Sequence, residues 1–93
     1  MNITYDPVKN QRNIALRGLS FERAADMHFE SSVIFVDDRR DYGELRYVAV
    51  GYVDTRLCVL CFTRVAQGIR VISFRKANVR EVRRYGEAIT IHK

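Results

Sequence analysis

Residues 69–85, IRVISFRKANVREVRRY, hold the chain's densest run of reactive side chains. Cleaving an RNA phosphodiester needs a base for the 2′-hydroxyl, an acid for the leaving oxygen and cations for the charged phosphorane. Preorganised Arg and Lys can supply the cations without a metal, and such electrostatic stabilisation is often the largest contribution to catalysis. Arg75, Lys76 and Arg80, joined by Arg46, can surround one scissile phosphate. Arg84 stands one helical turn beyond Arg80, on the same face. With Arg64, Arg70 and Arg83 it makes up a set of candidate RNA-backbone contacts. Glu81 is the acid of this corner and has two readings. It is either a general base or the partner of Asn78 in a capping box. The arginine cluster also has two readings, phosphate binding and docking of an acidic protein, and these are compatible.

Other chemistries find less support. Cys58 and Cys61 form a CxxC, but it lies in the middle of a strand pattern, where residues three apart point to opposite faces. There is no second cysteine pair of the kind a zinc site needs. Both thiols read as buried, reduced core residues. His28 sits on an apolar face with no orienting partner nearby, so it reads as a packed residue rather than a base. No glycine-rich phosphate loop is present. No cofactor is expected.

The elements that position the corner follow from periodicity. A strand body of Ile69, Val71, Ile72 and Phe74 runs into a helix starting near Asn78, with Val79 and Val82 expected to face the core. Upstream, residues 45–53, 56–64 and 69–75 read as strands joined by short turns at 54–55 and 65–69, which requires an antiparallel meander. Val33–Val36 reads as a further strand, and residues 37–44, DDRRDYGE, as a loop. That loop is either a mobile nucleic-acid arm or a solvated connection. Residues 3–5 suggest a short edge strand. Asp6-Pro7 starts a helix over residues 7–16 that Gly18 stops. Ser20 caps a second helix, with Leu19 and Ala24 at staple spacing. The expected fold is α+β, with helices on one face of the sheet.

Suppose residues 54–55 form a two-residue hairpin loop and Arg64 pairs with Arg70. Leu45, Tyr47, Ala49, Cys58, Leu60, Phe62, Ile72 and Phe74 then share an apolar face that packs on the helices. The other face carries Arg46, Tyr52, Thr63, Ser73 and Arg75 among Val48, Val50, Val59 and Val71, which suits a binding surface. A one-residue slip would exchange the faces of the slipped strand.

Bulk composition agrees with one small domain, residues 1–93. The chain is 47% hydrophobic, with a single proline, as a globular fold requires. Its net charge of +5 comes from 16 Lys and Arg against 11 acids, which favours a nucleic acid or an acidic protein as partner. No run is apolar enough to span a membrane and no signal-peptide pattern opens the chain, so the expected location is the cytoplasm.

Several motifs together resemble the BrnT family of bacterial toxins. They are Tyr5-Asp6-Pro7-x-Lys9 with Asn13, Gly18-Leu19-Ser20-Phe21-Glu22-x-Ala24, and Glu44-x-Arg46-Tyr47-x-Ala49-x-Gly51. Ile72-Ser73-x-Arg75-Lys76-Ala77 and Arg80-Glu81-x-x-x-Tyr85 complete the set, which spans nearly the whole chain in order. The resemblance implies a RelE-like fold with two N-terminal helices, a curved antiparallel sheet of about four strands and a C-terminal helix. It implies a metal-independent endoribonuclease that cleaves RNA and inhibits translation. The implied partner is a BrnA-like antitoxin with a ribbon-helix-helix DNA-binding domain, through which alone the complex meets operator DNA. Many family members carry Lys-His before the glycine at position 18, where this chain has Leu16-Arg17. The alternative to the enzyme is a non-catalytic basic module that binds an antitoxin-like protein or RNA through the same surface.

Overall fold

The computed structural model describes residues 1–91. In chain order the elements are β1 (Asn2–Thr4), α1 (Pro7–Arg17), two 3-10 turns (Phe21–Asp26 and Phe29–Ser31), β2 (Val33–Val36), β3 (Tyr47–Val53), β4 (Arg56–Val65), β5 (Gly68–Lys76) and α2 (Val79–Ile91). The strands form one five-stranded sheet in the order β1-β5-β4-β3-β2. The pairs β2–β3, β3–β4 and β4–β5 are antiparallel, and β1 adds a parallel edge to β5. The α+β class and the meander are those expected from sequence, with β1 as a fifth strand. Among the described residues no helix is long and apolar enough to cross a membrane.

Two asparagines tie α1 down. Asp6 caps its start by accepting from Val8 N, and Gly18 ends it at φ +64, in the left-handed region that glycine tolerates. Asn10 is buried and its Oδ1 accepts from Phe21 N at 2.8 Å. Asn13 Nδ2 donates to Leu19 O at 2.8 Å and Phe74 O at 2.9 Å, which pins helix, corner and β5 together.

The second N-terminal helix departs from expectation. Ser20 caps it, its Oγ accepting from Glu22 N, but the segment closes as a 3-10 turn through Arg23 N to Ser20 O and Met27 N to Ala24 O. The sheet is the reason. His28 N donates to Tyr52 O at 2.9 Å, which draws the segment onto β3. A Cβ built on Gly51 would meet Ser32 Cβ at 2.9 Å and Met27 Cγ at 3.3 Å. An α-helix roughly 10 Å across does not fit in that space. Leu19, Phe21, Ala24 and Met27 still bury themselves against Ala49, Cys58, Leu60, Phe62 and Phe74, forming the core.

The β3–β4 register is as expected. Val53 pairs with Arg56 across a two-residue loop in which Asp54 takes φ +55. In β4–β5 only half of the expected register holds. Leu60 pairs with Phe74 and Cys61 with Ser73, but beyond them Phe62 pairs with Val71 and Arg64 with Ile69, not Arg70. Ile72 is the extra residue of a bulge between these two halves. Val71 therefore replaces Ile72 in the core. The turn is also tighter than expected, because Val65 already pairs with Gly68 and Gln67 takes φ +64. Leu45 was expected in the core, but β3 begins at Tyr47 and Leu45 is exposed.

The helices do not share one sheet face. The core segment covers one side, while α2 crosses the other, where Tyr85 stacks edge-on against Tyr52 at 5.6 Å and donates to Ser31 O at 2.6 Å. Val79 and Val82 point to solvent, contrary to expectation. Glu81, Tyr85 and Ala88 face the sheet instead.

Candidate active site

Because α2 spans the second face without filling it, a cavity of about 590 Å³ remains. Val48 and Val50 of β3 and Val59 and Cys61 of β4 form its apolar floor. Ser73 and Arg75 of β5 wall one side, with Glu81, Arg84 and Tyr85 of α2 over it. Phe35, Val36 and the segment Asp37, Asp38 and Arg39 wall the other. The face read from sequence as a binding surface is thus the one that lies open.

The Arg75 wall is rigid. Arg75 donates from Nη1 to Glu81 Oε1 at 2.7 Å and from Nη2 to Glu81 Oε2 at 2.8 Å, a bidentate pair. Arg75 Nη1 also reaches Lys76 O at 3.3 Å. Glu81 in turn accepts from Asn78 N at 2.9 Å, and Asn78 Oδ1 accepts from Glu81 N at 2.9 Å, the capping box expected at this helix start. The Arg75 guanidinium, helped by the Asn78 N–H, holds the Glu81 carboxyl down at about 2. In this structure both Glu81 carboxylate oxygens are engaged by Arg75, so Glu81 braces that side chain. The Arg75 guanidinium is correspondingly harder to deprotonate, through the same hydrogen bonds.

The loop after β2 is largely exposed, but Asp37, Tyr42 and Glu44 tie it to its neighbours. Asp37 extends the β2–β3 ladder by donating its N–H to Arg46 O at 2.8 Å. The Asp37 carboxylate accepts from Arg39 Nε and Nη2, each at 2.8 Å, and from Tyr42 Oη at 3.2 Å. Those bonds, led by Arg39, keep it well below the usual carboxylate range despite its burial. The Arg46 guanidinium lies 4.1 Å from the Tyr42 ring centroid.

The structure brings only some of the candidate residues together. Arg75, Glu81 and Arg84 line the cavity. Arg80 lies on the exposed surface one turn before Arg84 and does not itself line the cavity. Arg46 and Arg70 share the cavity's sheet face but form a separate cluster, both paired with Glu44, at 3.1 and 2.8 Å. Arg70 and Arg75 lie opposite Thr63 and Val59, four steps apart on β4, roughly 13 Å at strand rise, so Arg46 lies well along the face from Arg75 rather than beside it. Lys76 pairs with Cys58 and Arg64 with Ile69, positions whose side chains belong to the core side of the sheet. Arg83 lies about 160° around α2 from Glu81, at 100° per residue, and so faces away from the cavity. Leu16 and Arg17, at the end of α1, do not line it.

Sequence reasoning missed Arg39 and the structural role of Asp37. The available signal was their i, i+2 spacing directly after a strand. Cys58 and Cys61 lie on opposite faces, one in the core and one in the cavity floor, and burial pushes both thiols up.

Fold and site define a small basic α+β protein with an arginine-walled cavity on one face of its sheet. The chain belongs to the BrnT family: the family model described as "Ribonuclease toxin, BrnT, of type II toxin-antitoxin system" matches residues 5–81. The crystal structure of the Brucella abortus ribonuclease toxin BrnT is similar, with a TM-score of 0.63 and 34% identity over 84% of this chain and 97% of that one. No curated protein matches. The chain is thus a ribonuclease toxin of a type II toxin–antitoxin system, which decides between the enzyme and the non-catalytic module, and a cognate antitoxin is its partner.

Proposed function

We propose that this chain, acting as a single domain over residues 1–93, is a metal-independent endoribonuclease whose substrate lies in the α2-covered cavity. The observation that carries the reading is the bidentate Arg75–Glu81 pair on the cavity wall. A dianionic phosphorane carries one more negative charge than the phosphodiester it forms from, and a guanidinium already fixed in direction meets that charge with little reorganisation. Arg84 adds charge in the same cavity, with Arg80 one turn before it, and Arg46 and Arg70 offer the strand a second contact further along the face. Cleavage of cytoplasmic RNA by this site would inhibit translation. The antitoxin, of ribbon-helix-helix type, would cover the basic groove with an acidic or amphipathic segment and carry the complex to operator DNA.

Single-turnover cleavage at saturating RNA, with and without a chelator, tests the reading. Wild-type cleavage should survive chelation. Arg75→Ala or Arg80→Ala should cut the rate by about 10²–10³-fold, the scale for losing one preorganised donor. A folded double variant that cleaves at the wild-type rate would remove both from catalysis.

A further inference from the structure

The cavity has a second arginine built like the first. Asp37 is almost wholly buried, its side chain 3% exposed, while that of Arg39 is 77% exposed. Two parallel hydrogen bonds to Asp37, with the backbone of Asp37 locked into the β2–β3 ladder and Tyr42 on the same carboxylate, fix the plane of the Arg39 guanidinium. Arg39 has five N–H donors, and these bonds use Nε and one of Nη2. Nη1 and the second Nη2 hydrogen have no hydrogen-bond partner among the described residues, and Arg39 lines the cavity. Arg75 repeats the construction across the floor, with Glu81 as its carboxylate. Both guanidinium groups line the one cavity, and the charge of Arg39 weakly opposes that of Arg75. Val48, Val59 and Cys61 lie between the two walls and offer apolar surface rather than charge.

Resting on the reading that Arg75 engages substrate in this cavity, we propose that Arg39 is a phosphate-binding residue of the ribonuclease that contributes affinity rather than chemistry. It holds a phosphate neighbouring the one at Arg75, so that the nucleoside between them lies over the valine floor. A base can reach that floor only when it is unstacked and unpaired, so the substrate this site takes is single-stranded RNA. The pairing with Asp37 does not oppose this role. It spares the ordering of a long side chain at the moment of binding, which is a main cost of association.

The test measures binding of a mixed-sequence, non-cleavable 2′-O-methyl single strand across a salt series, together with single-turnover cleavage of the matching RNA. Arg39→Ala should weaken binding by about tenfold, as loss of a charged hydrogen-bonded contact does. Its salt slope should drop by about 0.7, the value for one single-strand phosphate. The rate at saturating RNA should stay within a few-fold of wild type. Arg39→Lys should restore the slope, because it keeps the charge, while recovering only part of the affinity, because it loses the fork. Affinity and slope unchanged in Arg39→Ala, with a lower unfolding midpoint alone, would make Arg39 a loop staple and overturn the inference. A rate that collapses at saturating RNA would also overturn it, by making Arg39 part of the chemistry. If Arg75→Ala binds and cleaves like wild type, the parent reading fails. An unaffected Arg39→Ala beside an impaired Arg75→Ala overturns only the present one.

Discussion

Replacing Glu81 by Gln separates two roles that share one carboxylate. Gln keeps an oxygen for the Asn78 N–H, so the capping box survives and the change isolates the charge that holds Arg75. A carboxyl held at about 2 instead of 4.5 sets a ceiling of about 3 kcal/mol on its contribution at neutral pH. The Arg75 side chain is 37% exposed, so water screens the pair, and the expected loss is about 1–2 kcal/mol. The sign follows from the lowered folded-state value. The stability difference between wild type and Glu81→Gln is full above 4.5 and shrinks as pH falls toward about 2, where the native carboxylate is protonated. Urea unfolding of both proteins across that range measures it. In single-turnover cleavage, releasing the Arg75 guanidinium should cost about 10–100-fold, the scale of a small misplacement at a reacting centre. The decisive measurement repeats Glu81→Gln in an Arg75→Ala background. A brace has nothing left to hold there, so the second substitution should change the rate little. A full additional loss of about 10²–10⁴-fold would show Glu81 acting as a general base and refute the bracing argument.

Three further outcomes are expected. Gly51→Ala places a Cβ 2.9 Å from Ser32 Cβ, and forcing the 3-10 segment off β3 should lower stability by about 1–3 kcal/mol in urea unfolding. Cys61→Ser puts a hydroxyl into the apolar cavity floor and should cost about 1–3 kcal/mol, read from the same unfolding curves. Association with the antitoxin should be fast at low salt and slow markedly at high salt in stopped-flow measurements, since a basic surface steers the encounter.

The sequence was legible where local chemistry decided the outcome. Asp6-Pro7, Gly18 and the Asn78–Glu81 box marked the helix ends, and Asp54-Thr55 marked a hairpin that the structure contains at the expected register. It was least legible where distant contacts override local pattern. Ser20 and its apolar spacing suggest a helix, yet the hydrogen bond from His28 N to Tyr52 O, with the close approach at Gly51, selects a 3-10 turn. Val79 and Val82 look like a buried face because they are apolar. The helix instead buries Glu81 and Tyr85, whose partners Arg75, Tyr52 and the Ser31 carbonyl lie elsewhere in the chain. At the candidate site, residue type revealed Arg75, Glu81 and Arg84, but the sheet face of Lys76 and Arg64 depended on register. Arg39 lay in a segment whose composition suggests either a mobile nucleic-acid arm or a solvated connection, and neither reading singles it out.

The bulge at Ile72 has a consequence for how a charged surface can be encoded. Side chains on a strand alternate, so residues separated by an odd number of steps stand on opposite sides. Arg70 and Arg75 differ by five, yet Arg70 lies opposite Thr63 and Arg75 opposite Val59, two β4 positions of the same parity. The one supernumerary residue resets the count between them. Both arginines therefore stand on the same face of the sheet, and the core side still receives Val71 and Phe74 without interruption. A strand of the same length without the bulge would put Arg70 and Arg75 out of phase, and one of the two cations would then be directed into the hydrophobic core.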